Sequence, residues 1–281
     1  MKSVETVTST SASVALRRPH ALRWNALPAA LRRGLLLALL IGIWQAYVSA
    51  SHVSPLLFSS PWQTATALWD DWTNGSLAGP TWATLRILLE GVGIGIAIAI
   101  ALTVFATLST VGADLLALLT SLMNPLPGVA VLPLAMLWFG INENAIIFAI
   151  ANATIWPVGI NLSTGFKTTS PTLIAVGRNI GLSRLRVITD VLVPAALPHA
   201  VSGLKTAWAF GWRTVIAAEL VFGVAGSKGG LGNYINNARL YLLTPRVFAG
   251  LVTIAVLGVV FEAVFGALER RTIVRWGMKT S

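Results

Sequence analysis

The sequence of 281 residues has few charged residues, no cysteine and only three histidines. Charged residues make up 11% of the chain, against about 25% in soluble domains, so they cannot cover the surface of a water-exposed fold. The absence of cysteine excludes disulfides, thiolate metal sites and cysteine nucleophiles. His20, His52 and His199 are scattered along the chain, so no imidazole cluster is predicted. We therefore exclude a soluble globular fold and predict neither a metal site nor catalytic residues.

Apolar residues dominate the chain instead: 55% are hydrophobic and the mean hydropathy is +0.75. Several nearly uncharged runs reach about 18 residues or more, the length that crosses the hydrocarbon core of a bilayer. We predict transmembrane helices over the runs 34–50, 84–108, 113–138, 145–165, 195–222 and 247–268. The first run is short and ends in Val48, Ser49 and Ala50, which resemble a cleavage site, so a cleaved signal peptide remains an alternative for it.

Basic residues set the orientation of these helices. The chain has 20 Lys and Arg against 10 Asp and Glu, a formal net charge of +10, but the basic residues do not form the single stripe typical of nucleic-acid binding. With six spans, 14 of the 20 lie on one side of the membrane and 4 on the other. The positive-inside rule makes the first side cytoplasmic. The fold class predicted is an all-α membrane protein with six transmembrane helices and both termini in the cytoplasm.

Three regions of the chain follow from these spans. We predict a cytoplasmic, partly disordered N-terminal tail over 1–33, a transmembrane domain over 34–270 and a cytoplasmic C-terminal tail over 271–281. A short interfacial helix is predicted over 62–72, because tryptophan favours the headgroup layer.

Glycine and proline predict the packing and the interruptions of the spans. Gly91, Gly95 and Ala99 recur every four residues, a small-residue face that lets helices approach closely. The glycines at 91–95 do not form a nucleotide-binding loop, because no strand precedes them and no lysine follows. Prolines are expected to interrupt the third and fourth spans, at positions 125, 127 and 133 and at 157.

The basic segment 170–193, between the fourth and fifth spans, is the most informative part of the sequence. Leu173, Val176 and Ile180 fall on roughly helical spacing. Gly181, Leu182 and Ser183 predict a break into two short helices. Pro194 is expected to start the next span. A cytoplasmic helix of this size indicates a docking site for a partner, and a helix lying on the lipid surface is the alternative.

This segment resembles a known loop. Gly181 followed by Val191, Leu192, Val193 and Pro194 is similar to the cytoplasmic EAA loop of permease subunits of binding-protein-dependent ABC importers. Further stretches over roughly residues 30–271 resemble the nitrate, sulfonate and taurine group: 58–61, Arg86 with Gly91, Pro127 with Pro133, 139–140, 156–157, Gly203, Glu219 and 230–232. The chain departs from the motif at Glu-Ala-Ala, where it has Ala175, Val176 and Gly177, so an ion pair through that glutamate is not expected.

The resemblance implies a type I ABC importer permease bundle, multi-pass in a bacterial inner membrane, that is not itself an enzyme. It also implies a second, identical permease subunit, two cytoplasmic ATP-binding subunits and a periplasmic or lipoprotein solute-binding protein. The chain lacks a phosphate-binding loop, so we expect ATP and Mg²⁺ in the partner subunits and no cofactor in this chain. The expected solute is a small anion such as a sulfonate, taurine or nitrate. The ATPase-coupling residues implied are Ala175, Val176, Gly177, Arg178, Gly181, Leu182, Ser183, Arg184 and Pro194.

Two further groups of residues are candidates for function. Lys205, Trp208, Trp212 and Glu219 lie near one face of the fifth span and are predicted to line the translocation pathway, with Lys205 and Arg213 along the route of an anion. The alternatives are that Lys205 extends to the cytoplasmic surface, that the tryptophans pack, and that Glu219 bonds backbone or a neighbouring subunit. A glycine-rich loop is predicted on the outer side over 223–246. Binding-protein docking or a gate is predicted there and nearby, at Asn142, Glu143, Lys228, Gly230, Gly232 and Arg239, with an ordinary loop as the alternative.

Two other functional classes compete with the importer. A secondary transporter or channel, independent of ATP, needs ionisable residues near the membrane midplane, and the second and sixth spans offer only Glu90 and Glu262. An intramembrane enzyme needs convergent His, Asp or Ser residues, which the three scattered histidines do not provide. The transported solute and the choice between homodimer and heterodimer stay open at this stage.

Overall fold

The computed structural model describes residues 27–51, 53–222 and 229–275. All regular secondary structure in these ranges is helical, which confirms the predicted all-α class for the part described. The chain divides into two units, Met1–His52 and Val53–Ser281. Most of the N-terminal tail, predicted to be partly disordered, lies outside the described residues.

The first unit contains one described helix, α1 (Ala29–Ser51). It begins five residues before the predicted span 34–50. At about 1.5 Å per residue its 23 residues extend for about 34 Å, which is enough to cross a bilayer core.

The second unit contains a series of helices of very different lengths: α2 (Pro61–Thr73), α3 (Ala78–Leu108), α4 (Thr110–Met123), α5 (Leu132–Phe139), α6 (Glu143–Thr168), α7 (Pro171–Asn179), α8 (Arg184–Val187), α9 (Val193–Ala195), α10 (Leu197–Phe222), α11 (Leu231–Leu240) and α12 (Thr244–Arg275). A 3₁₀ turn, Gly128–Val131, precedes α5, and a π-type turn, Ile188–Leu192, joins α8 to α9.

Four of the described helices, α1, α3, α6 and α12, are each long and apolar enough to cross a membrane. Two bent pairs can supply two more spans. The pair of α4 and the Gly128–Phe139 segment bends by 95°, and the pair of Arg184–Ala195 and α10 bends by 72°. The described residues therefore contain four to six candidate spans, consistent with the six predicted.

Helix α2 confirms the helix predicted over 62–72 and shows why it starts where it does. The Ser60 hydroxyl accepts a hydrogen bond from the Gln63 backbone N–H at 3.2 Å, and the Gln63 side chain accepts one from the Ser60 N–H at 3.1 Å. This capping box pairs two of the donors left free at a helix start. Pro61 occupies the first turn, where its missing N–H has no cost.

The core of the second unit is built where α3, α6 and α10 approach one another closely. A Cβ atom added at Gly91 would lie 2.6 Å from the Ile150 Cβ, and one added at Gly95 would lie 2.9 Å from the Ala151 carbonyl oxygen. On α10, a Cβ at Gly211 would lie 3.1 Å from Val92 Cγ2 of α3. The predicted small-residue face of α3 is therefore a packing face against α6 and α10.

The third predicted span is not one helix. Helix α4 ends at Met123, and Pro125 and Pro127 separate it from the Gly128–Phe139 segment. Because neither proline has an N–H, the α-helical hydrogen-bond ladder stops, and a tight turn with Leu126 N–H donating to Met123 O at 3.1 Å replaces it. Pro133 lies in the first turn of α5 and does not interrupt it.

The break predicted at Trp156 and Pro157 is wrong, because α6 continues through both residues to Thr168. Pro157 is buried and its carbonyl accepts a hydrogen bond from Asn161 Nδ2 at 2.8 Å. Gly203 of α10 packs at the same place, where its added Cβ would be 3.4 Å from the Pro157 oxygen. Packing by neighbouring helices therefore keeps Pro157 within a continuous helix.

Pro194 does not start the fifth span as predicted. It lies in the short α9, and α10 begins only at Leu197, after a bend at the buried Ala196. The bend is fixed by packing, since a Cβ added at Gly165 of α6 would lie 2.7 Å from the Ala196 Cβ.

The segment after the fifth span, 223–246, was predicted as a glycine-rich loop. The described part of it contains the helix α11, so that prediction is wrong for 231–240. So short a segment is helical because tertiary packing stabilises it: Leu231, Ile235 and Ala238 are buried.

The packing of α3 predicts a difference between two neighbouring glycines. Gly95→Val should lower the free energy of unfolding by about 1–3 kcal/mol, because the new side chain collides with α6. Gly93→Val is the matched control, since a Cβ at Gly93 meets nothing within 4 Å and the change in helix propensity is the same. Thermal unfolding in detergent should show a lower midpoint for Gly95→Val alone. Equal midpoints for both variants would contradict the packing described.

Candidate functional site

The coupling segment, residues 170–193, contains the turn that the sequence predicts. Gly181 has φ of +82°, a conformation that favours glycine. The Leu182 N–H donates to the Gly177 carbonyl at 3.1 Å, and the Gly181 N–H donates to the Arg178 carbonyl at 3.0 Å. These two bonds form a Schellman motif, which ends α7 and turns the chain sharply. The predicted break into two short helices is confirmed.

The second helix of the segment is capped and packed against the first. The Ser183 hydroxyl accepts a hydrogen bond from the Arg186 N–H at 3.3 Å, which caps α8. Gly177, the third residue of the tripeptide that departs from the EAA pattern, is buried under this turn. A Cβ there would lie 3.3 Å from Val191 Cγ2 and 3.4 Å from Leu182 Cδ1. The segment is therefore a compact helix–turn–helix unit.

Several large apolar side chains of the coupling segment are exposed. Val176 and Ile180 are 52% and 72% exposed, although both are large and apolar. Leu173 and Leu185 are exposed as well.

Two arginines of the segment and a lysine of α6 line a cavity beside the membrane helices, together with apolar side chains of the segment. Arg178, Arg184 and Lys167 contribute to the wall of a cavity of about 890 Å³ between α4, α6 and the segment. Of the residues predicted to contact an ATPase, Val176 is apolar and exposed, whereas Arg178 and Arg184 line this cavity.

The pathway candidates of α10 face α12. The Lys205 ammonium lies 2.8 Å from Glu262 and 3.6 Å from Glu269. Trp208 packs on Phe261 with ring centroids 4.5 Å apart, and Trp212 packs on the same ring at 5.8 Å. Both charge pairing and aromatic packing therefore join α10 to α12 along one face.

Glu219, predicted with that group, has different neighbours. Its carboxylate is only 4% exposed and accepts hydrogen bonds from the Thr84 hydroxyl at 2.9 Å and from the Gly232 N–H at 2.9 Å. The Leu231 N–H donates to the Thr84 oxygen at 2.8 Å. A buried carboxylate is costly without such partners. This cluster of Glu219, Thr84 and the start of α11, here called the carboxylate cluster, joins α3, α10 and α11.

Gly230 and Gly232, predicted on a separate docking surface, belong to the carboxylate cluster. A Cβ added at Gly230 would overlap the Glu219 carboxylate and the Thr84 hydroxyl, and one at Gly232 would lie 2.5 Å from the Glu219 Cβ. The two glycines are needed here for close backbone approach. Sequence reasoning placed these residues in two groups, because Glu219 and Gly232 are 13 positions apart and nothing in the sequence indicates their contact.

The remaining docking candidates are spread over the structure. Glu143 forms an ion pair with Arg86 at 2.5 Å, and Asn142 caps α6 by accepting from the Asn144 N–H at 2.9 Å. Arg239 donates to Asn236 at 2.7 Å within α11. Lys228 lies outside the described residues.

Sequence reasoning missed a second buried carboxylate. Asp71 of α2 is 1% exposed, accepts a hydrogen bond from the Tyr234 hydroxyl and lies 3.0 Å from Arg246. Burial, followed by the hydrogen bond and the charge of Asp71, raises the pKa of Tyr234, so its hydroxyl stays a donor. The contact fastens α2 to α11 and to the start of α12. The only signal in the sequence was the pair of adjacent acids, Asp70 and Asp71, which does not say which one is buried.

The four to six candidate spans of the described residues define a multi-pass membrane protein. Residues 91–274 match the family described as "Binding-protein-dependent transport system inner membrane component". The chain belongs to this family of ABC importer permeases, as the sequence predicted. Members are transport permeases rather than enzymes, and the family implies ATP-binding and solute-binding partners.

Relatives of similar length support the same family. A permease protein of Escherichia coli (strain K12) named for the transport of aliphatic sulfonates is 33% identical over 241 residues, covering 84% of this chain and 88% of that one. The taurine transport system permease protein of the same strain is 30% identical over 246 residues, with 84% and 86% covered. A riboflavin transport system permease protein of Chloroflexus aurantiacus is 33% identical over 240 residues, with 85% and 88% covered.

The carboxylate cluster predicts that α11 depends on Glu219. Glu219→Ala leaves the Gly232 N–H and the Thr84 hydroxyl without their buried acceptor. Amide hydrogen exchange at Leu231 and Gly232 should become about tenfold to a hundredfold faster, in line with one lost buried hydrogen-bond partner.

The control for this measurement is Glu90→Ala on α3, an exposed residue whose closest basic group, Arg86, is 4.0 Å away. It should leave exchange in α11 unchanged. Wild-type protection of Leu231 and Gly232 in Glu219→Ala would show that the cluster does not hold α11.

Proposed function

We propose that this chain forms part of the translocation pathway of an ATP-driven importer of a small organic anion and that its coupling segment binds a cytoplasmic ATPase. The observation that carries the proposal is the exposed apolar face of the coupling segment, next to a rigid turn. Val176 and Ile180 project from α7, and Leu185 projects from α8. Large apolar side chains left exposed on a segment outside the membrane spans indicate an interaction surface.

The rigidity of the segment suits it to transmit motion. The Schellman motif at Gly181 and the buried Gly177 fix α7 against α8, so the two helices move as one body. The π-type turn and α9 then lead directly into α10, with Ala196 held against Gly165 of α6. Closure of the ATPases on nucleotide would displace the segment and, through it, tilt α10 and α6. Rigid-body rocking of this kind opens the pathway alternately to the two sides.

The partners of the complex follow from the chain's own chemistry and from its family. Because the sequence has no phosphate-binding loop, ATP and Mg²⁺ are bound, and ATP is hydrolysed, in two separate subunits. A second copy of this chain supplies the other half of the pathway. A solute-binding protein delivers the substrate on the outer side, where Asn142, Glu143, Lys228 and Arg239 are the proposed docking residues.

The distribution of Lys and Arg supports an orientation with both termini in the cytoplasm of a bacterial cell and the chain in its inner membrane. In this orientation the coupling segment faces the ATPases. The end of α10 at Glu219 and the helix α11 face the outer side. The carboxylate cluster is then the proposed outer gate element, and the Lys205, Trp208 and Trp212 face fixes the pathway helix α10 to α12.

A sulfonate or a related small anion is the proposed substrate. The relatives named for aliphatic sulfonates and for taurine support this class. The relative named for riboflavin is as similar to the chain as the sulfonate relative, so sequence identity supports the class without excluding others. The net positive charge of the chain is consistent with an anionic solute.

Capture of the ATPase tests the docking proposal. Val176→Asp and Ile180→Asp place a charge in the apolar face, and each should weaken co-purification of the ATP-binding subunit by about 30-fold, as expected for a central interface residue. Asn179→Asp is the matched control, because it adds the same charge to an exposed, polar position of the same helix.

Detergent-purified, tagged protein and quantitative mass spectrometry of the retained partners give the measurement. Full retention of the ATPase by both Val176→Asp and Ile180→Asp would contradict the docking proposal. Retention of membrane lipid alone by the wild type would favour a segment that lies on the bilayer.

A further inference from the structure

Three charged residues lie within α10, and one of them differs from the other two. Lys205 pairs with Glu262 and Glu269, and Glu219 belongs to the carboxylate cluster. Arg213 is exposed and makes neither a hydrogen bond nor an ion pair with any described residue. A charge without a partner inside a membrane span is costly unless it faces a cavity or a ligand.

Arg213 lies far from both ends of α10, so its side chain does not easily reach the membrane surface. It is about 13 Å from the end of α10 at Phe222 and about 24 Å from its start at Leu197, at 1.5 Å per residue. It also points away from Trp212, whose ring packs on Phe261 of α12, because consecutive helical residues are separated by about 100°. The guanidinium therefore belongs to a different face of α10 from the ion pair at Lys205.

A pocket of about 360 Å³ lies at this face. Arg213 and Thr214 line it from α10, Trp156 lines it from α6, and Asn124 lines it at the break between α4 and the 3₁₀ turn. No acidic residue is among its lining, and the side-chain amide of Asn124 has no partner among the described residues. The volume is in the range that holds a small organic molecule, and a broken helix is where transport proteins place solute sites.

The acidic residues within the long spans of this chain face groups other than Arg213. The glutamates within the long spans already have partners in this chain: Glu90 lies 4.0 Å from Arg86, Glu219 bonds Thr84, and Glu262 bonds Lys205. Asp114 lies near the start of α4, about 15 Å along that helix from Asn124. Among the described residues of this chain, no carboxylate therefore completes the Arg213 site.

We propose that Arg213, assisted by Asn124, binds the anionic group of the solute as it crosses the membrane. This inference rests on the importer function proposed above and identifies the residue that selects for negative charge. The planar guanidinium donates two parallel hydrogen bonds to the oxygens of a sulfonate, and the Asn124 amide donates a third. A single arginine, rather than a cluster, holds the anion weakly enough for it to leave.

The test compares variants in the complete complex, purified with its ATP-binding and solute-binding partners and reconstituted in liposomes. The readout is the ratio of radiolabelled ethanesulfonate taken up to ATP hydrolysed. Arg213→Met should lower this ratio by about tenfold to a hundredfold, the loss expected for a charge-assisted hydrogen bond, while ATPase stimulation by the loaded binding protein persists. Arg213→Lys keeps the charge and should retain most of the uptake.

Arg271→Met is the control, since it removes one exposed positive charge on α12, outside the pocket at Arg213. It should keep the wild-type ratio. A wild-type ratio in Arg213→Met would overturn the inference, and so would a complex that dissociates in Arg213→Met, because the charge would then hold subunits together. Failure of the wild-type complex to take up ethanesulfonate would instead refute the proposed substrate class.

Discussion

The close approach of α3, α6 and α10 is the contact on which the rest of the second unit depends. Glycines on α3 and α10 leave so little space that backbone meets side chain directly, at Gly91 against Ile150 and at Gly211 against Val92. This contact brings Thr84 within reach of Glu219, so the carboxylate cluster forms. At the other end, Gly165 against Ala196 fixes the bend through which the coupling segment joins α10. The packing of α3, α6 and α10 thus connects the proposed outer gate with the proposed ATPase contact.

The three charges of α10 have three different environments, and the environment assigns each a role. Lys205 is neutralised by two glutamates of α12 and fixes a helix pair. Glu219 is buried and satisfied by hydroxyl and backbone donors, so it organises structure. Arg213 alone faces an open pocket without a partner among the described residues, which leaves it free for solute. The role of a charged residue within a span can therefore be assigned only when the residues around it are known.

Local signals predicted the features that depend on local chemistry. The turn at Gly181, the α2 helix and the small-residue face of α3 were all visible, because caps, positive φ angles and helical spacing act over a few residues. The continuity of α6 through Pro157, the bend at Ala196 and the helix α11 were missed, since each depends on packing by helices distant in sequence. The pairing of Glu219 with Gly232 and of Asp71 with Arg246 was missed for the same reason.

ATP-dependent uptake by the reconstituted complex tests the central claim most directly. Liposomes would contain this chain with its ATP-binding subunits, ATP inside and the solute-binding protein outside, and the uptake of radiolabelled ethanesulfonate would be followed. The account predicts uptake only when both ATP and the binding protein are present, because the chain has no phosphate-binding loop and depends on its coupling segment. Equal uptake without ATP would contradict it and identify a transporter that works independently of nucleotide.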